Sequence, residues 1–179
     1  MSSITRPSLP TVVQSVELLL DAGLDAVVRD EWSRLLEAGI ASQGRIRSES
    51  NRPHMTLFVA REIPAELEEA VQAAIAVRRL TVRLGGVVVF GGRHATLARA
   101  VVPSAELLDL QARVYTALAG CPGIPDHIRP GEWTPHVTLA RRVPSARLGT
   151  ALLAVQTPER KLLGSSAGIR RWDGEARRE

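Results

Sequence analysis

The sequence predicts an α+β fold assembled from two copies of a strand, helix, strand, helix, strand unit. Three observations carry this. Two segments, PHMTLFVAREIP from Pro53 and PHVTLARRVP from Pro135, share PHxTL followed by AR, one further residue, an aliphatic residue and proline. Their histidines stand 82 positions apart (136 minus 54), and the same shift carries the surrounding candidate elements onto one another. Finally, β-rich stretches with period-two patterning alternate with stretches whose apolar residues recur at three and four.

Taken in order, Thr11 to Leu20 (TVVQSVELLL) is β-rich with partial alternation and reads as a strand. Asp21 to Ile40 places Leu24, Val27, Val28, Trp32, Leu35 and Leu36 on one helical face, with Gly39 as the stop. A polar loop, ASQGRIRSESNR, leads into a short strand from His54 to Ala60. Pro64 suits a helix start, so Ala65 to Arg79 reads as a second helix. Leu80 to Phe90 is a strand whose Gly85 and Gly86 mark a bulge or a close backbone approach. Gly91 and Gly92 turn the chain into an antiparallel strand from His94 to Val102. A helix over Ala105 to Ala119, a strand from Trp133 to Val143, a helix over Ala146 to Val155 and a β segment around Leu162 to Trp172 complete the pattern. The two units therefore span about 11–90 and 93–172 of one bilobal domain. Ser2 to Pro10 and the closing GEARRE read as poorly ordered and solvated, respectively.

Composition bounds the function classes. At 179 residues with 45% hydrophobic and 23% charged residues, the chain fits one globular domain and excludes a fibre, a collagen or a disordered acidic tail. Cys121 is the one cysteine, so there is no internal disulfide and no thiol cluster for zinc or iron–sulfur. No apolar run reaches the roughly 18 residues of a membrane span and MSSITRPSLP lacks a signal-like apolar region. The expectation is a cytoplasmic protein with no membrane partner, acting as a monomer. Net charge is +4, and of 23 basic residues only Lys161 is a lysine. Arginine forks suit phosphate, although a GC-rich genome produces the same skew.

The repeat sorts the histidines. A third HxTL begins at His94, but under the 82-residue shift position 94 corresponds to Val12 in an opening strand, and no proline precedes it. His94 is therefore read as an ordinary strand residue. In a strand, residues i and i+2 share a face, so His54 projects with Thr56 and His136 with Thr138, while Met55, Leu57, Val137 and Leu139 point to a core. If the units are related by a pseudo-twofold axis, two imidazoles and two hydroxyls face each other across a groove. Imidazole titrates near neutrality, so one ring can take a proton while the other gives one, and the threonine hydroxyls can stabilise an anion held between them. That chemistry is metal-independent phosphoryl transfer, with no cofactor. A zinc site is the rival for converging histidines, but there is no HExxH, no cysteine partner and no carboxylate at ligand-like spacing. A non-catalytic nucleotide- or RNA-binding module is the other alternative.

PHMTL and PHVTL, half a chain apart, resemble the paired HxTx signatures of the 2H phosphoesterase superfamily, and the pattern is similar to its 2′-5′ RNA ligase (LigT-like) branch. The resemblance covers about 11–172. It implies a bilobal α+β fold with antiparallel sheets lining a central cleft and helices outside. It also implies hydrolysis of cyclic phosphates, commonly the 2′,3′-cyclic end of RNA or a related small cyclic nucleotide, or 2′-5′ joining of RNA ends. Catalytic roles pass to His54, Thr56, His136 and Thr138. HVTLARR makes Arg141 the candidate phosphate ligand, although regular alternation aims Arg142 with His136, so the strand must end or bulge first. Phe90 matches a frequent aromatic at the hairpin and lines a base pocket in that reading, or else caps the core. Trp133, of opposite parity to His136, is read as core. At 3%, aromatics are too few for a broad single-strand stacking surface.

Overall fold

The computed structural model describes residues 13–75, 79–91, 93–156 and 162–173. Elements run β1 (Gln14–Leu20), α1 (Ala22–Glu37), β2 (His54–Ala60), α2 (Glu68–Ala74), β3 (Thr81–Phe90), β4 (His94–Val101), α3 (Ala105–Ala117), β5 (His136–Pro144), α4 (Leu148–Val155) and β6 (Leu163–Asp173). The α+β class and the alternation of elements agree with the sequence. Thr11, Val12, the Ser2–Pro10 lead and the GEARRE tail lie outside the described residues.

Local chemistry sets the ends. Asp21 caps α1 by accepting from the Leu24 amide at 2.9 Å, and Ser104 caps α3 through the Leu107 amide. After Ala38 the chain turns out of the helix at Gly39, whose φ of 71° favours glycine. Of the helix expected over 65–79, residues 76–78 lie outside the described residues; the described part starts later, because a 3₁₀ turn, Ala65–Leu67, follows Pro64 before α2 begins at Glu68. Pro144 is followed in the same way by Ser145–Arg147 before α4. Strand β5 starts at His136 rather than Trp133, since Pro135 has no N–H to give a ladder.

All strand pairs are antiparallel and close a ring in the order β1-β2-β5-β4-β3-β6. The ring reads as two three-stranded halves, β2-β1-β6 and β5-β4-β3, so the third strand of each sequence unit sits in the sheet of the other. One seam is narrow, with β2 and β5 paired at Met55↔Val137. The other joins Thr81–Arg83 to Leu163–Ser165. Helix α1 packs on α4 and on β1, β5 and β6, while α3 packs on α2 and β2. Leu24, Val28, Trp32 and Leu35 of α1 and Leu107, Leu110 and Val114 of α3 are buried, as their spacing requires. They meet Val16, Leu18, Met55, Leu57, Val137 and Leu139 from the strands. Gly164 permits the close approach of α1 to β6, because a Cβ there would lie 2.7 Å from an Asp21 carboxylate oxygen and 2.8 Å from Leu24. Gly85 and Gly86 do mark a bulge, since Leu84 pairs with Val101 and Val87 with Arg99. Among the described residues, no helix is long and apolar enough to cross a membrane.

Candidate active site

The β2–β5 seam gathers the two HxT motifs. With Met55 opposite Val137 in antiparallel register, His54 and Thr138 flank one side of the crossing and Thr56 and His136 the other. Two indoles hold the crossing from outside the ladder: Trp32 Nε1 donates to the Thr138 carbonyl and Trp133 Nε1 to the Thr56 carbonyl, each at 3.1 Å. A cavity of about 820 Å³ opens over the seam. His54, Thr56, Phe90, His136, Thr138 and Arg141 all line it, which are the six residues singled out from sequence. His127 lines it as well, whereas His94, exposed and paired with Pro144, does not; Thr96 two residues on does. Trp133 lines the cavity while also packing against the core, so its reading as core alone was too narrow. Because it precedes the strand, alternation does not govern it.

Each imidazole is fixed by the same bond. Nδ1 of His54 lies 2.7 Å from the Arg52 carbonyl and Nδ1 of His136 lies 2.7 Å from the Thr134 carbonyl. A carbonyl only accepts, so Nδ1 carries the hydrogen in both rings and Nε2 is the atom left for chemistry.

The strand bulges aim the rest of the site. Between β1 and β2 the pairing passes from Val16↔Phe58 to Glu17↔Thr56, leaving Leu57 as an extra residue; between β4 and β5 it passes from Leu97↔Ala140 to Ala98↔Thr138, leaving Leu139. Each bulge follows its HxT and reverses the side-chain parity, so Val59 and Arg141 face the cavity instead of the core. A second shift between Ala95 and Leu97 accommodates Arg142, a non-glycine residue with φ 58°. The bulge that Arg141 needed is therefore present. Phe90 ends β3 opposite Thr96, with its ring centroid 4.7 Å from that of His136 at 50°.

The two halves differ in charge. On β1, Glu17 pairs across from Thr56; on β4 the residue across from Thr138 is Ala98. The Glu17 side chain is 5% exposed, accepts from Ser15 Oγ at 2.8 Å and from Arg170 Nε at 2.9 Å, and places Oε1 3.5 Å from His54 Nε2. His136 has Arg141 nearby instead. Burial holds the His136 ring below the usual imidazole range; the Thr134 carbonyl opposes this, and Arg141, His127 and His54 add to it. Beyond His54 a second recess of about 550 Å³, lined by Arg47, Ser48, Ser50, Asn51 and Arg170, shares Glu17, His54, Thr138 and Trp172 with the first. Sequence reasoning passed over Ser15, Glu17, Arg170 and Trp172. The one available signal was an acidic residue inside the otherwise apolar run VELLL. Among the described residues no cluster of His, Cys, Asp and Glu has metal-binding geometry.

The family model described as the 2′-5′ RNA ligase superfamily matches residues 26–176. None of the curated proteins matches the sequence. A solved structure described as "Crystal structure of phosphoesterase" aligns over 90% of this chain and 88% of its own, with 18% identity and a TM-score of 0.50. At that identity the likeness concerns the fold.

Proposed function

Because the chain belongs to the 2′-5′ RNA ligase superfamily, whose chemistry is of the phosphoesterase type, we propose that it opens cyclic phosphodiesters, with the 2′,3′-cyclic end of RNA or a related small cyclic nucleotide as substrate and no metal in the mechanism. The observation that carries this reading is the pair of imidazoles on one cavity, each with Nδ1 bound to a carbonyl and Nε2 left for proton transfer.

A phosphate seated over the Met55–Val137 crossing lies between two His/Thr pairs. One Nε2 removes a proton from water as the water oxygen bonds to phosphorus. The bond from phosphorus to one ribose oxygen breaks, and the other Nε2 gives its proton to that oxygen. The product is a phosphomonoester beside a free ribose hydroxyl, and solvent restores both rings. Thr56 and Thr138 hydroxyls donate to the nonbridging oxygens as charge builds, and Arg141 supplies a fixed positive charge at that side. Each proton transfer contributes on the order of 10²–10⁴-fold. Phe90, Trp133 and Ile128 give the cavity apolar walls for a base. A ribose hydroxyl in place of water turns the same geometry to 2′-5′ joining.

The test is incubation of the purified protein with an oligonucleotide ending in a 2′,3′-cyclic phosphate, without and with EDTA, beside His54→Ala and His136→Ala. Wild type is expected to convert the end to a monoester, and both variants to lose the activity while remaining folded. Absence of turnover by wild type overturns the reaction. Loss of turnover on adding EDTA overturns its metal independence.

A further inference from the structure

We propose that Glu17 is a positioning residue that makes His54 the proton donor and leaves His136 as the base, so that the cleft has a fixed polarity. The inference rests on the reaction proposed above and assigns the two roles within it.

Proton bookkeeping around His54 points one way. Nδ1 donates to the Arg52 carbonyl, and Nε2 faces Oε1 of Glu17 at 3.5 Å. Both neighbours only accept, so the ring form that both can face is the one with hydrogen on both nitrogens. A neutral His54 turns its Nε2 lone pair against a carboxylate. Glu17 is itself held in place, with Ser15 on Oε1 and Arg170 on Oε2, and Arg170 is tied to the Ser50 carbonyl at 2.9 Å. Among the described residues lining the adjoining recess, the other charged groups are Arg170, behind the carboxylate, and Arg47.

Among the described residues no carboxylate stands against His136 as Glu17 stands against His54. The residue paired across from Thr138 is Ala98, where the other half has Glu17, and the cavity-facing residue after the bulge is Arg141, where the other half has Val59. Burial, with the Phe90 ring packed against the imidazole, and then the positive charge of Arg141 favour the neutral ring, whose Nε2 lone pair is free to accept a proton. Glu132 is the acidic residue that shares the cavity on this side. The leaving ribose oxygen is therefore directed to the His54 end, beside the second recess, and the attacking water to the His136 end under Phe90.

Carbethoxylation by diethyl pyrocarbonate attacks only unprotonated imidazole, and its sites can be mapped by peptide mass spectrometry without substrate. At mildly acidic pH, His136 of the wild type is expected to react several-fold faster than His54. Glu17→Gln, which keeps shape and hydrogen bonding to Ser15, is expected to raise the His54 rate by roughly tenfold and leave His136 unchanged. If Gln beside the buried Arg170 prevents folding, the double variant Glu17→Gln/Arg170→Gln removes both charges and is read in the same way. Equal labelling of the two histidines in wild type, or no change at His54 in folded variants, overturns the role of Glu17. On the cyclic substrate, Glu17→Gln is expected to lower kcat with little change in KM and to move the alkaline limb of the pH profile down; an unmoved limb overturns the assignment of the donor. A protein that shows the labelling contrast yet never opens a cyclic phosphate overturns the proposed reaction and leaves the Glu17–His54 pairing standing.

Discussion

The ring of Phe90 lies against that of His136, centroid to centroid 4.7 Å, on an imidazole that burial keeps below its ordinary range. Phe90 comes from β3 and His136 from β5, so a hairpin end covers a residue two strands away in the ring. A base with a lowered pKa stays competent to lower pH, since activity is lost only as pH falls through that pKa. Phe90→Ala lets water onto the ring and is expected to move the acidic limb of kcat/KM upward toward the ordinary imidazole value of about 6.5, and to raise KM. A pH–rate series on the cyclic substrate checks this; an unmoved limb assigns the desolvation elsewhere.

Thr56 and Thr138 share faces with the histidines and line the cavity. Thr56→Val and Thr138→Val keep the shape and β propensity while removing the hydroxyl. Each is expected to lower kcat by about 10²-fold, the usual scale for one lost donor to a developing oxyanion, with thermal stability nearly unchanged. Steady-state kinetics beside a melting curve separates the two effects.

Arg142 stands at φ 58°, and the shift it occupies helps to set the direction of the neighbouring Arg141. A β-branched residue tolerates that conformation poorly, and glycine tolerates it well. Arg142→Val is expected to cost about 1–2 kcal/mol and to raise KM as Arg141 loses its aim. Arg142→Gly should keep both stability and KM close to wild type. Denaturant unfolding and KM measurements on the two variants, with Arg141→Ala as reference, test the point.

Asp21 links α1 to β6: besides the Leu24 amide it accepts from the Ser165 amide and hydroxyl. These bonds, the Leu24 amide first, hold its carboxyl below the usual carboxylate range against the opposing effect of burial. A depressed carboxyl contributes stability that is present above its unfolded pKa and lost as pH falls through its folded one. Asp21→Ala is expected to lower stability by about 1–2 kcal/mol near neutrality. The gap from wild type should close as pH drops below roughly 4, which unfolding curves across that range will show.

What the sequence made legible was what repeats locally. Period two placed His54 with Thr56 and His136 with Thr138, and the 82-residue shift matched β2 with β5 and α1 with α3. Pairing across the ring was not legible, because register depends on partners far along the chain. Glu17 lies 37 residues before His54 in the sequence (54 minus 17), and only the β1–β2 register brings its carboxylate to the ring. The bulges at Leu57 and Leu139 have no glycine to announce them, unlike the one at Gly85 and Gly86. Trp133 shows the limit of alternation, which ends where Pro135 ends the strand.

The traded third strands bear on how the chain can be divided. A break between β3 and β4 leaves an amino-terminal piece holding a strand that belongs in its partner's sheet, and a carboxy-terminal piece holding a strand that belongs in its own partner's. Each piece alone keeps two paired strands and an orphaned third, with one of the two HxT histidines and half a cleft. Mixed, the pieces complete each other's sheets, so the two histidines, supplied by separate polypeptides, come together only in the reassembled pair.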